Sequence, residues 1–235
     1  MTISPAKAHF QRQSAAQRGT EPAVSDQSNA TAYELMLLKL SEDKRRLKDV
    51  QSFERKAEVK ATLIPEYMPW IDGCIEGDSG RQDDVLMTVF VWTIDTQSFD
   101  LALRIGAYAI KHGLTMPDQY KRDVPCVLAE EIADTVLKLD EEAIADRLDN
   151  IEHAIQLTAD SDMPDEVRAK LYKAWGYALR ATGSLQAALE ALNRALTLSG
   201  KVGVKKDIER LIVAIKNASP AAVDAEKSAE TEQPG

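Results

Sequence analysis

Acidic side chains occur in clusters along the chain, and converging carboxylates are the groups with which two-metal nucleases hold Mg²⁺. Each cluster, however, lies at a predicted helix start or in a turn, where a carboxylate caps backbone N–H groups and interacts favourably with the helix dipole. We therefore favour capping, and a nuclease in which Asp83 and Asp84 bind Mg²⁺ stays open as an alternative. The clusters are Asp83-Asp84, Asp95 with Asp100, and Asp160, Asp162, Asp165 and Glu166.

Basic side chains are relatively concentrated in the first quarter of the chain. Residues 1–62 contain eleven Lys or Arg against eight Asp or Glu, a net charge of +3, whereas residues 63–235 carry −12. Because an acidic body repels phosphate, we expect any contact with nucleic acid in the N-terminal part. A solvated face neutralised by Glu42, Asp43 and Asp49 fits the same pattern, so both interpretations stay open. The candidate DNA-binding residues are Lys7, Arg12, Arg18, Lys44, Arg45, Arg46, Lys48, Arg55 and Lys56.

Other signatures of catalysis or cofactor binding do not stand out in the sequence. The three histidines are far apart, and the two cysteines, Cys74 and Cys126, lack the paired spacing of a zinc site or a disulfide framework. A Gly-rich phosphate loop followed by Lys-Ser/Thr does not occur. We expect no resident cofactor, and Mg²⁺ is required only under the nuclease alternative.

The composition favours an all-α protein. Of the 235 residues, 44% are hydrophobic, which is enough for a core, and Gly and Pro are sparse at 11 and 9 residues. Since no apolar run approaches the roughly 18 residues of a membrane span, we expect a soluble, intracellular protein with no membrane partner.

The N-terminal part divides into an arm and a helix. Residues 1–30 are poor in large apolar side chains, so we expect a flexible basic arm. Residues 31–63 predict one long charged helix with a narrow apolar stripe, which favours oligomerisation through that stripe and provides a candidate DNA contact. Residues 64–80 contain two prolines and three glycines and predict a joint.

The segment 82–117 predicts a helical hairpin. Apolar residues recur at helical spacing on either side of a polar break at Asp95-Thr96-Gln97-Ser98, and Ser98 is placed to cap the second helix. Gly113 and Pro117 predict its end. A strand over 86–94 is a minority alternative, because the segment is rich in Val, Ile and Thr.

A second hairpin is predicted at 167–200, with an internal echo between Ser98–Ala109 and Ser184–Ala195. Its Trp175, Gly176 and Ala188 match the tetratricopeptide pattern. We therefore predict an α-helical hairpin body over 64–217, of TPR-like and α-solenoid-like stacked hairpins, and a disordered acidic tail over 218–235.

Seven motifs occur in order over most of residues 1–216. They are SPAKAHF at 4–10, ATAYELMLLKL at 30–40, PEYMPWIDG at 65–73, QDDVLMTVFVWTIDT at 82–96, KHGLTMP at 111–117, DMPDEVRAKL at 162–171 and GVKKDIERL at 203–211. Together they resemble the small terminase subunit of temperate tailed phages of the GpM type, historically called the terminase endonuclease subunit. The chain departs from that family at its acidic C-terminal end, so we expect DNA contacts from the N-terminal arm and the basic helix instead.

The resemblance implies a role in viral DNA packaging. It implies recognition of the cohesive-end site on concatemeric double-stranded phage DNA, in the host cytoplasm, together with a large subunit that carries the ATPase. We expect a non-catalytic DNA-recognition subunit whose homo-oligomer gives avidity through repeated basic arms. Two alternatives stay open, namely a Mg-dependent endonuclease that cuts the cohesive-end site itself and a helical-repeat adaptor that binds only protein.

Overall fold

The protein is all-α, as the composition predicts. The computed structural model describes residues 3–18, 27–117 and 121–230, without the side chains of 27–31 and 219–230, and in those ranges it contains helices and no strand. The chain divides into two compact units, Met1–Leu128 and Ala129–Gly235, with the division inside the sixth helix. The helices are α1 (Pro5–Gln17), α2 (Gln27–Asp49), α3 (Phe53–Gly77), α4 (Asp84–Asp95), α5 (Phe99–Lys111), α6 (Val124–Val136), α7 (Glu141–Ala145), α8 (Leu148–Leu157), α9 (Asp165–Ala181), α10 (Leu185–Leu198) and α11 (Lys205–Glu230).

The predicted flexible arm contains a packed helix. Ser4 caps α1 by accepting a hydrogen bond from the Lys7 N–H, and Pro5 is its first residue. α1 packs on α3 so closely that a Cβ atom at Gly73 would lie 2.2 Å from the Arg12 carbonyl oxygen. The arm is predicted to be mobile because it lacks large apolar side chains. In the structure, α1 instead packs through close contacts with the small residues Gly73 and Gly77 of α3. Residues 1–2 and 19–26 of the predicted arm lie outside the described residues.

The structure has two helices where the sequence predicts one long helix and a joint. The break lies at residues 50–52, where Ser52 accepts a hydrogen bond from the Arg55 N–H and starts α3. Pro65 and Pro69 lie inside α3. An interior proline costs about 3 kcal/mol, but each fully buried large side chain contributes about 1.5–3 kcal/mol, and α3 buries Tyr67, Trp70 and Ile71 completely. Tertiary packing thus outweighs the local breakers.

The predicted hairpin at 82–117 is present as α4 and α5, and the strand alternative is not adopted. α4 is the most buried helix of the first unit, and Gly113 ends α5 with a φ of +63°. Ser98 precedes α5 as predicted, but its side chain accepts no backbone N–H and its Oγ lies 3.0 Å from the Thr96 Oγ1. The prediction that Ser98 caps α5 is therefore wrong.

The second unit contains the other predicted hairpin, α9 and α10. A Cβ atom at Gly176 would lie 2.4 Å from a methyl carbon of Leu192, so the glycine permits the close contact between the two helices. Val204, Ile208 and Leu211 add to this core. The predicted C-terminal tail at 218–235 overlaps α11 as far as Glu230, and residues 231–235 lie outside the described residues.

The two hairpins share one turn geometry, which explains the internal echo in the sequence. Gln97 and Gly183 have φ values of 56° and 83°, and the serine that follows each has φ and ψ near −80° and 62°. In both turns the serine N–H donates to a carbonyl five residues earlier, at 2.8 and 2.9 Å. The TPR-like detail itself stays a prediction. None of the described helices is both long and apolar enough to cross a bilayer.

Candidate nucleic-acid interface

Three of the predicted cations on α2 and one on α3 line the same surface depression, which we call the basic groove. It has a volume of about 790 Å³, lies among α2, α3 and α4, and also has Pro117 in its lining. Its cations are Lys44, Arg45 and Lys48 from α2 and Lys56 and Lys60 from α3. The rest of its lining is Leu37, Leu40, Ser41, Leu47, Asp84, Thr88, Val91, Trp92 and Pro117.

The positions of these cations follow from the buried faces of their helices. Leu40 and Leu47, two turns apart on α2, are buried, and this anchoring keeps the neighbouring cations exposed. The break before Ser52 lets the chain return along α3, where Lys56 and Lys60 lie four residues apart on one face. Trp92 and Thr88 of the buried helix α4 form part of the lining between them.

The groove carries a positive charge that is largely uncompensated. In the described part of the chain, Lys44, Arg45 and Lys48 form no ion pair. Lys60 is paired with Asp95, with 2.5 Å between Nζ and Oδ2. Among the described residues that line the groove, Asp84 is the one carboxylate. Cations left unpaired beside each other at the surface of an acidic chain favour an anionic ligand such as a phosphate backbone.

Arg46 belongs to a separate ionic network. Its Nη1 atom lies 3.2 Å from Oδ1 of the buried Asp43, whose Oδ2 accepts hydrogen bonds of 2.7 Å from both Lys39 and the Tyr67 hydroxyl. Burial alone raises the pKa of Asp43, but the hydrogen bonds from Lys39 and Tyr67 outweigh it and hold the pKa below its ordinary value. Burial raises the pKa of Tyr67, and the hydrogen bond to Asp43 raises it further. Asp43 therefore ties α2 to α3.

The predicted cations of the N-terminal segment are not in the groove. Arg12 forms an ion pair with Glu76 of α3, which raises the pKa of the guanidinium and lowers that of the carboxyl. Lys7 is exposed and lines a different, apolar pocket. Arg55 is exposed on α3 and does not contribute to the groove lining.

Arg18 is part of a buried group that we call the Asp83 cluster: Arg18, Tyr33, Trp70, Cys74 and Asp83. The Arg18 Nη1 atom donates to Asp83 Oδ2 at 2.5 Å, and the guanidinium carbon lies 3.5 Å from the centroid of the Tyr33 ring. The Trp70 Nε1 atom donates to the same oxygen at 3.2 Å, and Tyr33 stacks on Trp70 with centroids 5.9 Å apart. The cluster joins the end of α1 to α2, α3 and α4.

Asp83 has the capping role that we favour from the sequence. Its Oδ1 atom accepts the Leu86 N–H at 2.9 Å at the start of α4, and the residue is 1% exposed. Burial raises its pKa despite the hydrogen bonds and the Arg18 charge, and burial likewise raises the pKa of Cys74. Both Asp83 oxygens are therefore engaged within the fold, whereas the neighbouring Asp84 is exposed and lines the basic groove.

The other acidic clusters agree with capping only in part. Asp100, Asp165 and Glu166 lie in the first turns of their helices, whereas Asp95 is the last residue of α4 and pairs with Lys60. Outside these clusters, Asp140 caps α7 by accepting the Ala143 N–H at 2.9 Å. Across the described ranges, no group of three or more His, Cys, Asp or Glu side chains is arranged to hold a metal ion.

Sequence reasoning missed Lys60 and the contact between Asp43 and Tyr67. Lys60 follows Lys56 by one helical turn, and both lie within the helix that the sequence predicts over residues 31–63, so this spacing could have identified it. Asp43 follows Glu42 at the start of a dense basic segment, and nothing in its spacing indicates that one of its partners is a tyrosine 24 residues later.

Comparison with known proteins places this chain among phage terminases. The sequence model of the family described as phage small terminase subunit matches residues 37–166, which include every residue lining the basic groove. The "Terminase, endonuclease subunit" of Escherichia phage P2 is 45% identical over 210 residues, covering 88% of this chain and 84% of that protein.

A more distant relative carries a similar name. The "Probable terminase, endonuclease subunit" of Haemophilus phage HP1 (strain HP1c1) is 26% identical over 186 residues, covering 70% of this chain and 64% of that protein. No solved structure matches the chain significantly. The match to the family model over more than half of the chain, together with the 45% identical relative, shows that this protein belongs to the phage small terminase subunit family.

Proposed function

We propose that this protein is the DNA-recognition subunit of a phage terminase. It binds double-stranded DNA at the cohesive-end site of concatemeric phage DNA, and it recruits or regulates a large ATPase subunit for cleavage and packaging in the host cytoplasm. The observation that carries the proposal is the basic groove, in which five cations from two helices meet on a chain with a net charge of −9.

The charge distribution supports binding through the phosphate backbone. Each phosphate that a cation neutralises releases a condensed counterion, so binding weakens steeply with salt. A depression of about 790 Å³ is much smaller than a DNA duplex, so it accommodates a stretch of one strand's backbone against α2 and α3. Phosphate contacts of this kind position a protein on DNA, and additional contacts to base edges or DNA shape then supply sequence preference.

A homo-oligomer strengthens this mode of binding. Several copies, each with a shallow basic groove, bind adjacent stretches of one DNA molecule with an effective concentration that a single copy lacks. Recognition at the cohesive-end site then depends on the assembled subunits, and the helical body remains available to the large subunit.

The endonuclease alternative has two observations in its favour. Both curated relatives carry the word endonuclease in their names, and Asp84 lies in the groove lining beside the cations. A Mg²⁺-dependent cut would need further oxygen ligands near Asp84, because the oxygens of Asp83 are held by Leu86, Arg18 and Trp70. We therefore favour recognition and treat cleavage by the subunit alone as the alternative to be tested.

A mobility-shift series on cohesive-end DNA over a range of salt concentrations tests recognition. Removing Lys44, Arg45 and Lys48 together by alanine substitution is expected to weaken binding at least about tenfold and to lower the salt slope by about 3. The matched control replaces Lys201, Lys205 and Lys206, which are exposed in the second unit, and changes the net charge equally. If both triple variants bind DNA like the wild-type protein, the groove is not the DNA site. If neither the wild-type protein nor the variants bind DNA, a protein-only adaptor is favoured.

Incubation of the purified subunit with site DNA and Mg²⁺ tests cleavage. Under the recognition proposal no specific nick appears. A specific nick that disappears in Asp84→Ala, while DNA binding persists, would establish the endonuclease alternative. Lys201→Ala serves as the control for the purification, because a contaminating nuclease would be unaffected by either substitution.

A further inference from the structure

An exposed aromatic side chain lies beside the basic groove. Phe53, the first residue of α3, is 88% exposed, the highest exposure among the large hydrophobic residues of the described chain. The centroid of its ring lies 5.8 Å from the Nζ atom of Lys56, which lines the groove. A cation–π contact at the surface is worth only about 0.5–1 kcal/mol and leaves the ring in solvent. The ring is therefore available to a ligand that the cations attract.

The walls of the basic groove combine cations with apolar side chains. Leu37 and Pro117, which are half-buried, line it together with the more deeply buried Val91 and Trp92. The outside of a DNA duplex presents phosphates and sugars, which contact cations and polar groups and leave an apolar wall without a partner. Unpaired bases, in contrast, present flat π-faces that pack on apolar and aromatic side chains. The lining fits nucleotides whose bases are uncovered better than it fits a closed duplex.

The shape of the groove distinguishes the same two forms of DNA. In a duplex the base edges lie at the bottom of the DNA grooves, which admit a protruding helix or β-ribbon. The basic groove is a depression among three helices, with a volume of about 790 Å³, so its lining cannot reach those edges. Cavities of roughly 300–1,000 Å³ are the ones that enclose drug-sized molecules. Single nucleotides of an unpaired strand are of that size and can enter the depression.

We propose that the basic groove binds an unpaired stretch of DNA, with phosphates on its cations and a base stacked on the ring of Phe53. Proteins that bind single strands combine these two elements, a positively charged groove that follows the backbone and aromatic side chains on which bases stack. A cohesive end is itself an unpaired strand, so cutting the site produces the form of DNA that the groove fits. Binding of this kind rests on the proposed function and specifies which form of DNA the subunit holds.

Fluorescence anisotropy of the full chain with matched DNA probes tests the proposal. The probes share one cohesive-end sequence and are an intact duplex and the same duplex with a gap that leaves about six nucleotides unpaired. At one salt concentration, we expect the wild-type protein to bind the gapped duplex at least about fivefold more tightly, because stacking of one base supplies that difference. Equal binding of the two probes would overturn the proposal.

Substitutions at Phe53 test the stacked base directly. Phe53→Ser should weaken binding of the gapped duplex at least about fivefold and leave binding of the intact duplex unchanged, whereas Phe53→Tyr, which keeps a ring, should bind both probes like the wild-type protein. The residue is exposed, so neither change should disturb folding. Phe10→Ser, which changes an exposed phenylalanine at a different pocket, is the matched control. If Phe53→Ser keeps the wild-type affinity for the gapped duplex, or Phe53→Tyr loses it, the ring does not stack on a base.

The same probes separate this proposal from site recognition. If intact and gapped duplexes bind equally and the triple substitution of Lys44, Arg45 and Lys48 weakens both, recognition through the groove stands and binding of an unpaired strand is wrong. If the gapped duplex is preferred but a scrambled sequence binds as tightly as the cohesive-end sequence, the groove holds unpaired DNA and recognition of the site is wrong. An RNA strand that displaces the gapped duplex more effectively than the DNA strand of the same sequence would overturn DNA as the ligand.

Discussion

The basic groove and the Asp83 cluster lie in the same unit and use the same kinds of side chain for opposite purposes. In the cluster, Arg18 and Asp83 pair with each other, and the carboxylate is buried. In the groove, Lys44, Arg45 and Lys48 are exposed and have no anionic partner in the described part of the chain. One region uses charge to hold helices together, and the other leaves charge available.

The difference shows why a basic residue cannot be assigned to DNA binding from its type alone. A buried charge must be paired, because the desolvation cost of an isolated ion exceeds any gain from packing. An exposed cation contributes little to folding, since ion pairs at the surface are worth about 0–1 kcal/mol. The cations that folding does not require are therefore the ones to test for function.

The largest effect expected from this comparison is on stability. Asp83→Ala removes the helix cap and leaves Arg18 without its carboxylate, so we expect the free energy of unfolding to fall by about 3–5 kcal/mol. Asp84→Ala, one residue later and exposed in the groove, should change it by less than about 0.5 kcal/mol. Denaturant unfolding measures both. If both variants lost the same unfolding free energy, Asp83 would stabilise the fold no more than the exposed Asp84 does.

Arg18→Gln should lower the free energy of unfolding, because Arg18 forms an ion pair with the buried Asp83. Burial raises the pKa of Asp83 and the Arg18 charge opposes this shift, so loss of Arg18 should raise the pKa further. Loss of the charged hydrogen bond is expected to cost about 2 kcal/mol. A raised folded-state pKa makes this variant most stable below the unfolded value of about 3.9 and less stable as pH rises toward the folded value. Unfolding at several pH values measures the trend.

The DNA affinity of the same variant sharpens the comparison. In the mobility shift, folded Arg18→Gln should keep the wild-type salt slope, because Arg18 contacts Asp83 and Tyr33 rather than solvent. If the salt slope of the variant is lower by about 1, Arg18 contacts a DNA phosphate, as the sequence predicts.

Within the basic segment of α2, neighbouring cations should differ. Lys48→Ala is expected to weaken DNA binding about threefold and to lower the salt slope by about 1. Arg46→Ala removes an equal charge from a side chain that is paired with Asp43 and does not line the groove, so its effect on binding should be smaller. The two variants bound to the same DNA at one salt concentration provide the measurement. Reversed effects would place the DNA on the other face of α2.

Local sequence patterns predicted the helices of the hairpins but not the packing around α3. The turns at Gln97 and Gly183 repeat in sequence and in backbone geometry, so the internal echo was informative. Pro65 and Pro69 predicted a joint because local propensity says nothing about the buried side chains that keep α3 continuous. α1 was missed for a related reason, since contact through Gly73 and Gly77 leaves no apolar pattern.

The candidate site was predicted in part. The cluster at 44–48 and Lys56 were identified from charge, and the sequence also favoured the capping role that Asp83 has. Which cations are paired depends on contacts across long separations, such as the 65 residues between Arg18 and Asp83. Charge spacing along a helix indicates only local pairs, such as Asp43 with Arg46 three residues later.

The smallest expected effect concerns Asp43, whose ion pair with Arg46 gives that arginine a role in the folded structure. Hydrogen bonds from Lys39 and Tyr67, opposing burial, lower the pKa of Asp43 in the folded protein. A lowered pKa stabilises the fold above the unfolded value of about 3.9, and this stabilisation is lost as pH falls through the folded value. We therefore expect unfolding free energy to fall less on acidification in Asp43→Asn than in wild type, with Asp84→Asn as the exposed control. Parallel acid unfolding curves for wild type and Asp43→Asn would show that the network contributes nothing, and Arg46 would then be as free to bind phosphate as the cations of the groove.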